Sequence, residues 1–185
     1  CYHYKTGKTT VYPKIPVREL AIITRSGGKI FLGTDRGIGI LEGDSVRALT
    51  QTVQGNYNSI AYDLTEITPG VLAFASCNGL ILYHVDSGKQ DTLFHESNYC
   101  VRTIRIINGY LFFGTYGRGF FIYKDGKLKS MPTDKNRYLL YAHCFMPDSK
   151  GFVWISTNHG LFKASINDLT DAFEKDRPVV YYHYF

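Results

Sequence analysis

Side chains able to bind a ligand recur in four short turns closed by glycine, which we call the rim turns (residues 35–37, 77–79, 116–119 and 158–160). An arginine guanidinium matches the paired oxygens of a carboxylate or sulfate group, and a tyrosine offers a sugar ring an apolar face with a polar tip. The candidate ligand-binding residues are Arg36, Asn78, Tyr116, Arg118, Asn158 and His159. A solvated turn surface without a ligand is the alternative interpretation of these residues.

Catalytic patterns are missing from the sequence. It contains no GxSxG, HExxH, GxxxxGK[ST] or GxGxxG pattern, and its six histidines have no metal-ligand spacing. Gly37-Ile38-Gly39 and Gly117-Arg118-Gly119 lie in β-turns rather than before helices, so they are not nucleotide motifs. Asp35 and His159 suggest no acid–base pair, and His143 is interpreted as structural. The sequence therefore predicts no catalytic residue, no metal site and no cofactor.

The rim turns join short apolar strands that repeat along the chain. Their closing glycines, Gly37, Gly79, Gly119 and Gly160, are 42, 40 and 41 residues apart. Glycine supplies the positive φ that such turns need, and the Thr or Ser before each turn can hydrogen-bond the turn backbone. A strand-rich repeat of about 40–45 residues is typical of propeller blades with four strands each. The turns between the second and third strands of such blades emerge on one face, so we expect the candidate residues to share one rim.

The sequence predicts an all-β fold, a partial β-propeller of four four-stranded antiparallel blades plus a half blade. One domain covers residues 1–185, with an outer half blade at 1–12 and blades at 17–50, 59–95, 100–131 and 138–185. The last blade carries a short helical insert at 167–175. A ring closes only when its first and last strands meet in one blade, and an open arc exposes strand edges. We expect the remaining blades of a parent chain, or a homodimer partner, to close it.

Composition limits the classes of partner. The chain has 185 residues, of which 44% are hydrophobic and 15% aromatic, as expected of a globular β protein. Its net charge of +5 is spread without a basic run, so no direct nucleic-acid contact is predicted. No apolar stretch reaches the length of about 18 residues that a spanning helix needs, so no membrane segment is predicted. The chain begins at Cys1 without a signal-peptide pattern, which favours a processed piece.

The cysteines and the tryptophan are interpreted as structural. Cys1, Cys77, Cys100 and Cys144 are far apart and form no CxxC pair. The sequence neither shows nor excludes a disulfide, and the favoured interpretation is that the thiols are unpaired. Trp154 lies in an apolar strand, which predicts a core position.

The strand–turn–strand repeat resembles the two-component regulator propeller repeat. The resemblance rests on Gly33-Thr34-Asp35-Arg36-Gly37-Ile38, Gly114-Thr115-Tyr116-Gly117-Arg118-Gly119-Phe120 and Trp154-Ile155-Ser156-Thr157-Asn158-His159-Gly160-Leu161-Phe162. The second copy, Ala75-Ser76-Cys77-Asn78-Gly79-Leu80, differs from the family pattern because Ser stands in place of Thr. The helix-like insert and β-prone run at 167–185 also resemble the late blades of that family.

The resemblance implies ligand sensing rather than catalysis. Such repeats build seven-bladed propellers in the extracytoplasmic sensor region of hybrid two-component histidine kinases, which are typical of polysaccharide-degrading bacteria. The implied role is a periplasmic piece of an inner-membrane signalling protein, with an oligosaccharide breakdown product as its ligand. Two alternatives stay open. A propeller lyase or glycosidase needs an acid–base pair at the channel mouth, and a non-catalytic protein-interaction propeller would present a flat charged rim.

Overall fold

The computed structural model describes residues 2–9, 20–50 and 60–185. A hairpin of β1 (Tyr2–His3) and β2 (Lys8–Thr9) precedes four sheets. The first sheet contains β3 (Leu20–Ser26), β4 (Lys29–Thr34), β5 (Gly37–Glu42) and β6 (Ser45–Ala48). The second contains β7 (Asp63–Thr68), β8 (Val71–Ser76), β9 (Gly79–His84) and β10 (Gln90–Phe94). The third contains β11 (Val101–Ile107), β12 (Tyr110–Thr115), β13 (Phe120–Lys124) and β14 (Lys127–Ser130). The fourth contains β15 (Cys144–Pro147), β16 (Phe152–Thr157), β17 (Gly160–Ser165) and β18 (His183–Tyr184).

Each sheet is an antiparallel meander whose strands are hydrogen-bonded in chain order. The tight turns follow from the sequence, as the third sheet shows. Asn108 and Gly109 have φ values of 51° and 80°. Asp125 and Gly126 have φ values of 48° and 83°. Positive φ at both central residues is the hairpin geometry that Asn-Gly and Asp-Gly favour. The predicted all-β architecture of four four-stranded antiparallel blades is confirmed.

The amino-terminal hairpin turns at Gly7, whose φ is 65°. Its assignment as half of a blade at 1–12 stays a prediction, because residues 1 and 10–12 lie outside the described part of the chain. The predicted starts of the blades at 17–50 and 59–95 also lie outside it.

Apolar side chains fill the spaces between neighbouring sheets. One buried cluster, with Phe31 and Phe74, joins the first and second sheets. Another, with Phe94 and Phe113, joins the second and third. The first strands of consecutive sheets contact one another in the order β3, β7, β11 and β15. The sheets therefore follow one another around a common axis with their first strands innermost, as propeller blades do.

One helix, α1 (Ile166–Lys175), separates β17 from β18, which confirms the predicted helical insert. The Ser165 hydroxyl caps it by accepting a hydrogen bond from the Asp168 N–H at 3.2 Å. Its buried face packs into the cluster between the third and fourth sheets. The ammonium groups of Lys127 and Lys129 donate to carbonyls in its last turn, where cations suit the helix dipole. No helix within the described ranges has the length and hydropathy of a membrane span.

Candidate functional site

A hydroxyl group closes each rim turn. The hydroxyls of Thr34, Ser76, Thr115 and Thr157 donate to the closing glycine carbonyls at 2.9, 3.2, 2.7 and 3.1 Å. The same oxygens accept hydrogen bonds from the backbone N–H groups of Arg36, Asn78, Arg118 and His159 at 3.1, 3.1, 3.1 and 3.0 Å. The predicted structural role of these hydroxyls is confirmed, and Ser76 fills it as well as threonine does. The turns are thus rigid supports for the side chains that they carry.

Glycine is required where the rim turn enters the third strand. Gly79 has a φ of 113°, and an added Cβ would lie 1.9 Å from the Phe94 carbonyl oxygen. Gly160 has a φ of 137°, and its Cβ would lie 2.6 Å from the Phe185 carbonyl oxygen. In both sheets the fourth strand ends against this glycine, so any side chain there would push the strand away.

Three of the predicted ligand-binding residues already have partners within the chain. The Arg118 Nε lies 2.8 and 3.0 Å from the two carboxylate oxygens of Glu96. The Asn158 Oδ1 lies 2.6 Å from the His143 Nε2. The His159 ring stacks on Tyr138, with the ring centroids 4.2 Å apart. These contacts arise because the segments that link one sheet to the next lie on the same face as the rim turns.

All six predicted residues are exposed, and the other three, Arg36, Asn78 and Tyr116, lie on the first three turns. Tyr116 is 45% exposed, and its ring contacts Tyr141 and His143, with centroid distances of 5.0 and 6.0 Å. The structure therefore brings Tyr116 and Asn158 together through His143. Within the described ranges, Arg36 and Asn78 form no hydrogen bond with the other four predicted residues. The two predicted residues that the structure brings together thus lie on the third and fourth sheets.

A cation that was not among the residues predicted from the sequence also lies at this site. The guanidinium carbon of Arg102 lies 3.9 Å from the Tyr62 ring centroid and 5.5 Å from that of Tyr116. Both distances fall within the range of cation–π attraction. The Arg102 Nε is buried and has no hydrogen-bond partner in the described part of the chain. We call Tyr62, Arg102, Tyr116, Tyr141, His143 and Asn158 the Arg102 cluster.

The start of each first strand lies beside a rim turn, because that strand is antiparallel to the second. Val101 of β11 pairs with Thr115 of β12, which places Arg102 next to the turn that carries Tyr116. Tyr62 precedes β7 in the same way. The sequence signal for these residues was therefore their position just before or at the start of a first strand, rather than within a turn.

A disulfide joins Cys77 to Cys100 across the junction of the second and third sheets. The interpretation of these two thiols as unpaired is wrong. They are 23 residues apart in the chain, but one lies in a rim turn and the other just before β11, so both reach the same face. The Tyr62 hydroxyl lies 3.5 Å from the Cys77 sulfur. Cys144 is an exposed free thiol, and Cys1 lies outside the described residues.

Asp63 binds the second sheet to the third beside this cluster. Its Oδ2 accepts hydrogen bonds from the Ile104 N–H at 2.8 Å and the Thr103 hydroxyl at 3.2 Å. Burial raises the pKa of the Asp63 carboxyl above its usual range, although these hydrogen bonds and the charge of Arg105 act in the opposite direction. The Oδ1 accepts a hydrogen bond from the Leu64 N–H at 2.8 Å, so both oxygens are engaged and Asp63 has a structural role.

The histidines on the rim face contact amide or carbonyl oxygens and an aromatic ring. His143 lies against the Asn158 side chain, and the His95 Nδ1 lies 3.0 Å from the Asn78 carbonyl oxygen. A histidine–carboxylate pair does occur, with 2.9 Å between His84 Nε2 and Asp91 Oδ2, but β9 ends at His84, so this pair lies at the opposite end of the blade. Among the described residues, no three His, Cys, Asp or Glu side chains come together as a metal site.

No family model and no curated protein matches the chain. Solved structures do match it. The extracellular domain of the putative hybrid two component system BT4673 from B. thetaiotaomicron is 18% identical, with a TM-score of 0.68, and the match covers 86% of this chain and 22% of that one. The corresponding domain of BT3049 from the same organism is 19% identical, with a TM-score of 0.66, over 94% of this chain and 24% of that one.

An enzyme also appears among the similar structures. A catalytically inactive virginiamycin B lyase from Staphylococcus aureus, solved with quinupristin, is 13% identical with a TM-score of 0.62. The match covers 92% of this chain and 57% of the lyase. At these identities the similarities establish the propeller fold alone. The chain spans less than a quarter of the length of the two extracellular domains.

Proposed function

We propose that this chain is part of the extracytoplasmic sensor propeller of a hybrid two-component signalling protein. The observation that carries the proposal is the similarity over 86% and 94% of the chain to extracellular domains of two such systems. The four strand–turn–strand repeats add independent support from the sequence. In this proposal the chain lies in the periplasm, and the rest of the propeller comes from a parent chain or a homodimer partner.

The ligand we propose is an oligosaccharide released from a polysaccharide. Sugar rings present apolar faces that pack on aromatic side chains, while their hydroxyls accept and donate hydrogen bonds. Tyr116 is exposed on the rim, and the Asn158 side chain lies close by. A ligand transmits a signal only if it binds one arrangement of the receptor better than another, so a site between two blades suits a sensor.

A thermal-melt screen of the purified chain tests this proposal. A ligand that binds only the folded state stabilises it by about 2.7 kcal/mol at a hundred times its Kd. The screen uses neutral, uronic and sulfated oligosaccharides, and we expect at least one of these classes to raise the melting temperature. Arg36→Ala and Arg118→Ala show whether that rise depends on either predicted turn arginine. Arg118 is already paired with Glu96. No rise with any class contradicts ligand binding by this chain and favours the protein-interaction alternative.

A lyase is the second candidate, because a virginiamycin B lyase shares the fold over 92% of the chain. General acid–base chemistry needs a titratable group within hydrogen-bond reach of the proton that it transfers. The rim histidines instead contact Asn158, Tyr138 and the Asn78 carbonyl, which does not favour this candidate. Incubation with each oligosaccharide, followed by detection of unsaturated or reducing-end products, tests it. Turnover would favour the lyase over the sensor.

A further inference from the structure

Within the described ranges, no acidic side chain pairs with Arg102. Its buried Nε has no hydrogen-bond partner within the described ranges, and its guanidinium contacts the rings of Tyr62 and Tyr116. Arg102 is half-buried, but its Nε–H is shielded from water, and such a donor normally has an acceptor because it otherwise loses its hydration without compensation. The neighbouring rim arginine, Arg118, shows the usual arrangement, with Nε on the carboxylate of Glu96. The contrast indicates that Arg102 is held ready for an anion from outside the chain.

Two carboxylates of the second sheet and its link to the third are engaged with other groups. Asp63 accepts hydrogen bonds from Thr103 and Ile104, and Glu96 is paired with Arg118. An anionic ligand would therefore replace no ion pair of Arg102 in the described structure. It would also restore the hydrogen bonds that a guanidinium fork normally makes, and bidentate contacts of this kind are strong and directional.

The walls of the site are fixed before any ligand binds. The Tyr62 N–H donates to the Ala75 carbonyl at 2.8 Å, and the Tyr116 N–H donates to the Cys100 carbonyl at 2.9 Å. The disulfide between Cys77 and Cys100 ties together the two sheets that carry these residues. A preorganised site loses little conformational entropy on binding, which favours affinity for a small ligand.

The far side of the cluster offers an aromatic face and polar groups. Tyr141 packs edge-on against Tyr116 at 74° between ring planes, and the paired His143 and Asn158 side chains follow. A sugar ring in contact with the exposed Tyr116 would thus lie in one cluster with hydrogen-bonding side chains and the guanidinium. Neither a bare anion nor a neutral sugar would use all of these groups.

We propose that the Arg102 cluster binds an acidic sugar unit, with the guanidinium on its carboxylate or sulfate group and the sugar ring against Tyr116. This inference rests on the proposed sensor function and narrows its ligand to acidic glycans. A uronic acid and a sulfated sugar present the same paired oxygens to Arg102, so the experiment includes both.

Isothermal titration of the 185-residue chain with three tetrasaccharides tests the inference: a galacturonate, a sulfated and a neutral galactose oligomer. We expect at least one acidic probe to bind more than about tenfold more tightly than the neutral one. Arg102→Gln should abolish that preference, and Arg102→Lys should restore only part of it because lysine lacks the fork. Arg105→Gln is the matched control. It removes the same charge from an exposed position on the same strand, and it should leave the affinity unchanged.

Tyr116→Ala gives a second test, which removes one of the two rings beside Arg102 but leaves the guanidinium charge in place. Because Tyr116 is exposed, this variant should fold and should bind the acidic probe at least about tenfold more weakly. Binding that survives both Arg102→Gln and Tyr116→Ala overturns the inference but leaves the proposed function standing. Equal affinity of the unmodified chain for acidic and neutral probes also overturns the inference and leaves the proposed function standing. Failure of all three probes to bind the unmodified chain contradicts both.

Discussion

The third and fourth sheets have the same strand pattern but differ in how many of their faces are covered. In the third sheet, Phe112 and Ile122 pack toward the fourth sheet, and Phe113 and Phe121 pack toward the second. Both faces of that sheet are therefore buried. In the fourth sheet, Phe145, Val153, Ile155 and Phe162 are buried against the third sheet. The opposite face carries Met146, which is 62% exposed.

The difference is sharpest at two adjacent residues of β17. Phe162 is 2% exposed, whereas Leu161 is 43% exposed, because successive side chains of a strand point to opposite faces. The third sheet shows that such an outward face can be filled by a neighbouring sheet. The uncovered face of the fourth sheet thus supports the proposal that further blades, or a second copy of this chain, pack against it.

The comparison predicts very different costs for truncating these two neighbours. Phe162→Ala removes a fully buried ring and should lower the free energy of unfolding by about 3–5 kcal/mol. Leu161→Ala, one residue away, should lower it by less than about 1 kcal/mol. Urea unfolding followed by tryptophan fluorescence measures both. Equal losses would mean that the outward face of the fourth sheet is covered in solution.

The disulfide makes the junction of the second and third sheets differ from the next one. Replacing Cys77 and Cys100 together by serine frees a loop of 23 residues and should cost about 3 kcal/mol of stability, chiefly through the unfolded state. Cys144→Ser, in the fourth sheet, is the control and should change little, since that thiol is exposed and free. Thermal melts with and without a reductant check the result. An unmodified chain that melts at the same temperature in both conditions would contradict the prediction.

Asp63 provides a polar connection at the same junction. Asp63→Ala leaves the Ile104 N–H and the Thr103 hydroxyl without their acceptor, which should cost about 1–3 kcal/mol. Asp63→Asn keeps an acceptor oxygen and should cost less than the alanine variant. If both variants lose the same stability in urea unfolding, the hydrogen bonds across the junction contribute nothing.

The stability difference between the unmodified chain and Asp63→Asn should depend on pH, and the direction of that dependence can be stated. The pKa of Asp63 is raised in the folded state, so folding favours the protonated carboxyl. The stability that this protonation contributes is complete below the unfolded pKa of about 3.9, and it is lost as the pH rises through the folded pKa. The unmodified chain should therefore lose stability relative to Asp63→Asn as the pH rises above the unfolded value of about 3.9, until the carboxyl of the folded state has ionised. Urea unfolding of both proteins across this range measures the difference. A difference that stays constant with pH would show that Asp63 is not the titrating group.

Much of the fold could be predicted because each repeat is marked by residues that are close together in the sequence. Glycines at intervals of about forty residues mark the rim turns, and Asn108-Gly109 and Asp125-Gly126 mark hairpins. The helical insert was predicted from an Asx or Thr cap and from Pro178 beyond its end. Trp154 was predicted to be a core residue, yet it is only half-buried, with its Nε1 donating to Asp148 Oδ2 at 3.1 Å. Periodicity shows that a strand has two faces but not which of them has a neighbour.

The candidate site could be predicted only in part, since it joins segments that are far apart in the chain. The rim turns identified Tyr116 and Asn158, but Arg102 and Tyr62 come from the entrances to two first strands. Their proximity depends on how the second and third sheets pack, and so does the disulfide between Cys77 and Cys100. A single sequence contains no local signal for these contacts between blades.

The weakest effect should be that of Met146, which lies on the uncovered face of the fourth sheet, on its edge strand β15. Met146→Lys should change the stability of the dilute chain by less than about 0.5 kcal/mol, because the side chain already contacts solvent. At high concentration we expect the unmodified chain to self-associate through this face, so that its melting temperature rises with concentration. A lysine there would introduce like charges at the contact and should abolish that rise. A melting temperature of the unmodified chain that does not depend on concentration would instead favour further blades of a longer chain, because a second copy would then contribute no stability to the folded arc.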